Sequence, residues 1–520
     1  MHAQSHRGRA ARFGGLLALA LVASAPPGFG QAPGFGQAPG FGQAGGSVTT
    51  YHADAARSGH YVAPGLTWQA AARMAPDAGF DGRVPGHVYA QPLVWNPGNG
   101  AAARLIVVTE SNEVVALDAG TGRTIWRRHL GVALPSTKFP CTNVDPVGIT
   151  GTPVIDPRAG ALYLDAMIGG PGGPRQEVFG LALSNGATLP GWPVDVRKAL
   201  AARGLEFVER NQQQRAALAL IGGRVFVAFG GFAGDCGWYH GMVLGLDTAP
   251  PRLAAVWMTR GLKGGVWAPG GISVAGGHLF FATGNTERAP TAIGWDDGVS
   301  VFRETPALAH TTDPRDSFAP QNFAHLDDLD LDLGGTEPLP LTMPDGARRL
   351  MALGKDGKAY LLDRGNLGGI GGAVAVRRVA GGPIITAPAV YREGGRTVVA
   401  FRAPDAICPA GHEATALVGL AVSDGGMRPM WCAPVHGGGI PIVTTAERGD
   451  DPVIWFVGAE GDNRLHGFRG DTGQAVYTGD TVLPGLRHFV TPVVAGGRLY
   501  VAGDGRIFAF TWNRQSAARR

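Results

Sequence analysis

From residue 47 to 515 the chain reads as short apolar runs that alternate with polar positions and stop at turns rich in Gly, Asp and Asn, the pattern of half-buried β-strands. The clearest unit is Val114-Val115-Ala116-Leu117-Asp118-Ala119-Gly120-Thr121-Gly122-Arg123-Thr124-Ile125-Trp126, in which an apolar strand ends in Asp and a Gly-containing turn leads to an aromatic residue. Echoes follow at residues 178–192, 243–257, 359–365, 417–431 and 465–477. A second signature opens each unit: a small or polar residue, Pro, then β-branched residues. It is strong at Gln91-Pro92-Leu93-Val94, Thr152-Pro153-Val154-Ile155, Ala387-Pro388-Ala389-Val390 and Thr491-Pro492-Val493-Val494, and weaker near Ala216, Gly270, Pro340 and Pro441.

These openings recur roughly every 50 residues, a period that marks a repeat architecture. The fold class predicted is all-β: an eight-bladed β-propeller with four-stranded antiparallel blades. One blade alone buries neither face, so each needs a neighbour on both sides and the array closes into a ring. The last unit, Thr491 to Trp512, shows only three strand-like runs; a strand from Val48 to Tyr51 is expected to complete it.

Composition supports this and narrows function. Gly and Pro number 83 and 38 of 520 residues, which does not suit long helices, while 45% hydrophobic residues suffice for a large core. The net charge of +4 comes from scattered residues, so nucleic-acid binding is not expected. Residues 1–25 read as a signal peptide, with Arg7, Arg9 and Arg12 ahead of the apolar stretch Leu16 to Val22 and Ala23-Ser24-Ala25. Residues 26–46, with three Pro-Gly-Phe-Gly-Gln-Ala units, read as a low-complexity linker, 47–515 as the propeller and 516–520 as a tail. No later stretch is long enough to span a membrane, which points to a periplasmic or secreted protein.

Four cysteines in an exported chain favour disulfides. Cys408 and Cys432 flank one hairpin and form the first candidate pair, leaving Cys141 with Cys236, although four cysteines allow three pairings. No Cys-x-x-Cys-His is present, so covalent haem c is not expected.

The hairpin Ala116 to Trp126 resembles the tryptophan-docking repeat of the pyrroloquinoline quinone (PQQ) alcohol dehydrogenase family, whose fold is an eight-bladed propeller. Thr50 to Gly59, Gly86 to Pro92 and Tyr239-His240-Gly241 are similar to exported PQQ-binding-like repeat proteins. The resemblance implies a set of site residues. Trp267 would be the floor on which the quinone stacks, and Asn285, eighteen residues on, a metal ligand. Asp330 would be the catalytic base and a metal ligand, with Asp332 an added metal carboxylate that accompanies lanthanide use. Lys355 would contact the quinone oxygens and stabilise developing negative charge. Asp235 would complete a site for Ca²⁺ or a lanthanide ion. The chain departs from the family in lacking its adjacent cysteine pair, and its metal carboxylate is a shorter, shifted Asp.

Each of these residues also has a plainer reading. Trp267 could pack a blade, Asn285 and Lys355 could form turns, and the acidic run Asp327 to Asp332 could be a solvated loop. Two expectations therefore stand. One is an exported PQQ-dependent dehydrogenase that oxidises an alcohol or sugar and passes electrons to a soluble acceptor. The other is a cofactor-free propeller that binds a protein or glycan.

Overall fold

The computed structural model describes residues 46–98, 100–287 and 295–512. The leader, the Gly-Phe repeats and the tail lie outside them. Among the described residues, eight sheets of four or five strands follow one another along the chain, and a two-stranded pairing joins Leu262–Lys263 to Thr286–Glu287. The first blade consists of Leu93–Trp95, Arg104–Val108, Glu113–Asp118 and Thr124–His129, antiparallel throughout. Its third strand runs buried from Val114 to Leu117, while the fourth is largely exposed, so burial falls outward across the blade.

The innermost strands of blades 2 to 8 begin at Val154, Ala219, Ser273, Leu339, Ala389, Ile442 and Val493. Each begins close to one of the repeat openings read from the sequence, that of blade 5 one residue ahead of Pro340. Helices are short: Trp68–Ala71, Val196–Ala201 and Phe323–Asp328. No helix of the described residues is long and apolar enough to cross a membrane.

The ring closes differently from expectation. The fourth strand of blade 8 is Ala75–Pro76, paired with Arg506–Thr511, and Gly82–Arg83 adds to the same strand. Val48 instead bridges Val94 of blade 1. Phe80, between the two closing strands, packs on Tyr500 of blade 8, and both join the hydrophobic cluster that links the first and last blades. The correction follows from length. A segment of two short pairings beside an apolar anchor suffices to cover an edge strand, and such a segment carries no repeat signature.

Residues 48–62 have another task. Thr49 O accepts from Ile155 N of blade 2 at 2.8 Å, Ala55 O from Val274 N of blade 4 at 2.7 Å, and Ser58 O from Val390 N of blade 6 at 2.8 Å. His60–Val62 runs parallel to Ile442–Thr445 of blade 7. The Arg57 guanidinium donates to Leu218 O, just ahead of blade 3, at 2.8 Å, and the Tyr51 hydroxyl lies 3.3 Å from Thr491 Oγ1, at the entry to blade 8. Arg57 also lies within electrostatic reach of Glu337 at the entry to blade 5. This N-terminal arm therefore touches the inner strand, or its entry, in seven blades and places the Arg57 charge near the entry to blade 5. Gly59 permits the close approach: its φ is +64°, and a Cβ there would stand 2.8 Å from Ala389 Cβ.

Both cysteine pairs form disulfides, Cys408–Cys432 and Cys141–Cys236, with Cα separations of 5.8 and 6.0 Å. The second ties the connection between blades 1 and 2 to a loop inside blade 3.

Candidate functional site

Trp267 lies on the connection between blades 3 and 4, and three glycines, one in blade 3 and two at the entry to blade 5, let it sit there. A Cβ on Gly230 would come within 3.0 Å of Trp267 Cβ, one on Gly334 within 2.8 Å of its Nε1, and one on Gly335 within 3.2 Å of its Cη2. The indole is therefore backed by main chain and presents a rigid, flat surface.

Two cations lie against it. Lys355 Nζ is 5.1 Å from the ring centroid and Arg215 Cζ is 5.4 Å, both within cation–π range. Lys355 stands on the turn between two strands of blade 5, and its backbone N–H donates to Asp332 O at 2.9 Å. Its ammonium lies 2.7 Å from Asp330 Oδ1 and 2.6 Å from Asp332 Oδ2. The two acids differ in setting. The Asp330 side chain is 65% exposed, whereas that of Asp332 is 1% exposed and also accepts from Gly334 N–H. Burial pushes the Asp332 carboxyl up to about 7, against the pull of Lys355. Burial, the largest single influence, pulls Lys355 down, but Asp332 and Asp330 together outweigh it and leave the ammonium raised.

Arg215 was not singled out from the sequence. It ends the polar run Asn211-Gln212-Gln213-Gln214, which directly precedes the opening of blade 3, where other blades carry a single polar residue before Pro. That run was the available signal. Arg215 Nη2 donates to Gly231 O at 3.0 Å, while its Nε is sealed from water with no hydrogen-bond partner in the structure. Asp235 lies in its electrostatic field, and Asp235 Oδ1 accepts from the Tyr239 hydroxyl at 2.5 Å.

The structure thus brings Trp267, Lys355, Asp330 and Asp332 into one cluster. It sets Asp235 with Arg215 and Tyr239. Asn285 is half-buried, and its carbonyl accepts from Gly264 N–H at 2.8 Å, three residues before Trp267. Among the described residues no group of three or more His, Cys, Asp or Glu side chains gathers in a way that could hold a cation. The cavity beside Trp267, about 30 Å³, is lined by residues that include Tyr51, Tyr89, Asn143, Arg215, His488 and Phe489.

These features answer separately for quinone and metal. A backed indole beside two cations fits a planar anionic quinone, although so small a space admits one only if lining side chains move. The carboxylates do not fit a bound cation: Asp330 and Asp332 are turned onto Lys355, and Asp235 onto Tyr239.

The fold is an eight-bladed β-propeller. The chain is similar to quinohemoprotein alcohol dehydrogenase from Comamonas testosteroni, with 13% identity, a TM-score of 0.65, and coverage of 91% of this chain and 82% of that one. Quinohemoprotein alcohol dehydrogenase ADHIIG from Pseudomonas putida HK5 gives 13% identity, a TM-score of 0.64 and the same coverage. A europium-containing methanol dehydrogenase gives 13% identity and a TM-score of 0.61, covering 89% of this chain and 90% of that one. At this identity the likeness is one of fold. No family profile matches the chain, and no curated protein matches it.

Proposed function

We propose that the protein is an exported quinoprotein-like oxidoreductase that holds a planar quinone of the PQQ type against Trp267, oxidises a small alcohol or sugar, and passes the electrons to an external soluble acceptor. The observation that carries this reading is the cluster itself, in which Lys355 contacts the indole and both acids. When bound, the quinone would accept the two electrons that leave the carbinol carbon.

The protein's own residues supply the rest. Asp330, whose side chain is exposed beside Lys355, takes the hydroxyl proton of the substrate. Lys355 provides fixed positive charge where negative charge develops on the quinone oxygens. Asp332, buried behind it, holds Lys355 in place through the ammonium and through its main-chain carbonyl. The two disulfides and the leader-like N-terminus support a periplasmic or secreted location.

Purified protein mixed with PQQ should show a melting temperature raised by several degrees, because a ligand of the native state must stabilise it. Ca²⁺ and La³⁺ are to be tried in parallel. Asp330→Ala should then abolish dye-linked alcohol oxidation while PQQ still binds, and unchanged turnover would remove Asp330 from the reaction.

The small cavity and the diverted carboxylates favour a second reading, a cofactor-free propeller whose rim binds a protein or glycan. Under that reading PQQ produces no shift with any cation.

A further inference from the structure

We infer that Arg215 is the anion clamp of the Trp267 pocket, supplying from the protein the positive charge that a bound divalent or trivalent cation would otherwise bring, so that a planar aromatic polycarboxylate binds here without metal. The clamp follows from the geometry of the pocket; only the identification of its ligand as a quinone rests on the function proposed above.

Three independent observations converge on Arg215. Its guanidinium stacks 5.4 Å from the Trp267 centroid, so a flat ligand on that indole meets it directly. It lines the cavity, and its Nε, sealed from solvent, has no hydrogen-bond partner in the structure while Nη2 is held by Gly231 O at 3.0 Å. A buried donor without an acceptor is costly, and a carboxylate oxygen of a ligand would satisfy it. Finally, the carboxylate expected to ligate metal is otherwise engaged. Asp235 Oδ1 takes the Tyr239 hydroxyl, and the carboxylate lies in the electrostatic field of Arg215 without pairing with it.

Guanidinium suits the role. It is planar, stacks on aromatic faces and offers paired donors to a carboxylate, whereas a hard cation needs several oxygens around it. Lys355, 5.1 Å from the same ring, adds a second positive charge, but both acids next to it already share that charge.

The test is calorimetric titration of the full chain with two probes, PQQ and benzene-1,3,5-tricarboxylate, each in chelator and in Ca²⁺, with melting curves confirming that every variant is folded. The clamp predicts that chelator leaves binding unchanged, that Arg215→Ala weakens it about 10- to 100-fold, and that Arg215→Lys recovers part of the loss. Asp235→Asn separates the two roles even if Arg215→Ala does not fold. Removing a negative charge beside the clamp should tighten anion binding, whereas removing a metal ligand should weaken it. Binding of either probe that requires Ca²⁺, or that is equal in wild type and Arg215→Ala, overturns the clamp. If the tricarboxylate binds through Arg215 and PQQ does not, the clamp stands and the quinone reading fails. If neither probe binds, both fail.

Discussion

Arg57 in the N-terminal arm donates through Nε to Ile272 O at 3.1 Å, through Nη1 to Thr50 Oγ1 and Tyr51 O, and through Nη2 to Leu218 O, with the Glu337 carboxyl nearby. Arg215, beside the pocket, donates through Nη2 to Gly231 O and leaves Nε without a partner. Both guanidiniums have buried donors, so both carry a desolvation cost. In the arm that cost is offset within the fold, and the residue joins blades. In the pocket part of it is left uncompensated, which is the condition under which a ligand gains by arriving.

The sharpest way to break this contrast is to remove each arginine in turn. Arg57→Met should cost roughly 3–5 kcal/mol in urea unfolding, because it strands several carbonyls and a buried carboxyl at once. Arg215→Met should cost no more than about 1 kcal/mol, since it removes one hydrogen bond and one orphaned donor together. Equal losses would mean that the two sites are built alike.

The arm also makes a prediction about pH. Glu337 is 1% exposed, both its oxygens lack hydrogen-bond partners, and burial pushes its carboxyl up to about 8. A carboxyl whose folded value is raised keeps its proton where the unfolded chain has lost it. Its contribution therefore falls as pH rises from the unfolded value of 4.5 through about 8. Glu337→Gln should gain roughly 3 kcal/mol on wild type between pH 5 and pH 8 in denaturation midpoints taken across that range. A gain that does not change with pH would mean that Glu337 is ionised in the fold.

In the pocket the effects on stability are smaller and those on chemistry larger. Lys355→Met leaves Asp332 buried without its cation, and should cost about 2 kcal/mol and abolish oxidation. Asp330→Asn, at an exposed side chain, should change stability by no more than about 0.5 kcal/mol while removing turnover. A large stability loss at Asp330 would make it a structural residue.

How much of this was legible in the sequence depended on the range of the forces involved. Alternation along each strand and the recurrent Pro openings are local features, and they located all eight inner strands. Trp267 and Lys355 stood out because Gly265-Val266-Trp267 and Gly354-Lys355-Asp356-Gly357 are short segments that resemble those of the PQQ alcohol dehydrogenase family. The closing strands Ala75–Pro76 and Gly82–Arg83 gave no such sign, since two short pairings at an edge need no pattern of their own. The arm was misassigned for a related reason: its bonds run from main-chain groups to many blades, and main-chain groups are the same in every sequence.

By itself, the sequence determined the architecture. The spacing of apolar runs, turns and repeat openings is a property of neighbouring residues, and a blade that cannot bury its faces alone forces the ring. Only the tertiary structure decided what each polar group meets. Arg57 and Arg215 are the same residue with the same capacity to donate, and nothing near either in sequence reveals that one is saturated and the other is not. That difference comes from carbonyls and an indole up to 215 residues away, brought within about 5 Å by closure of the ring.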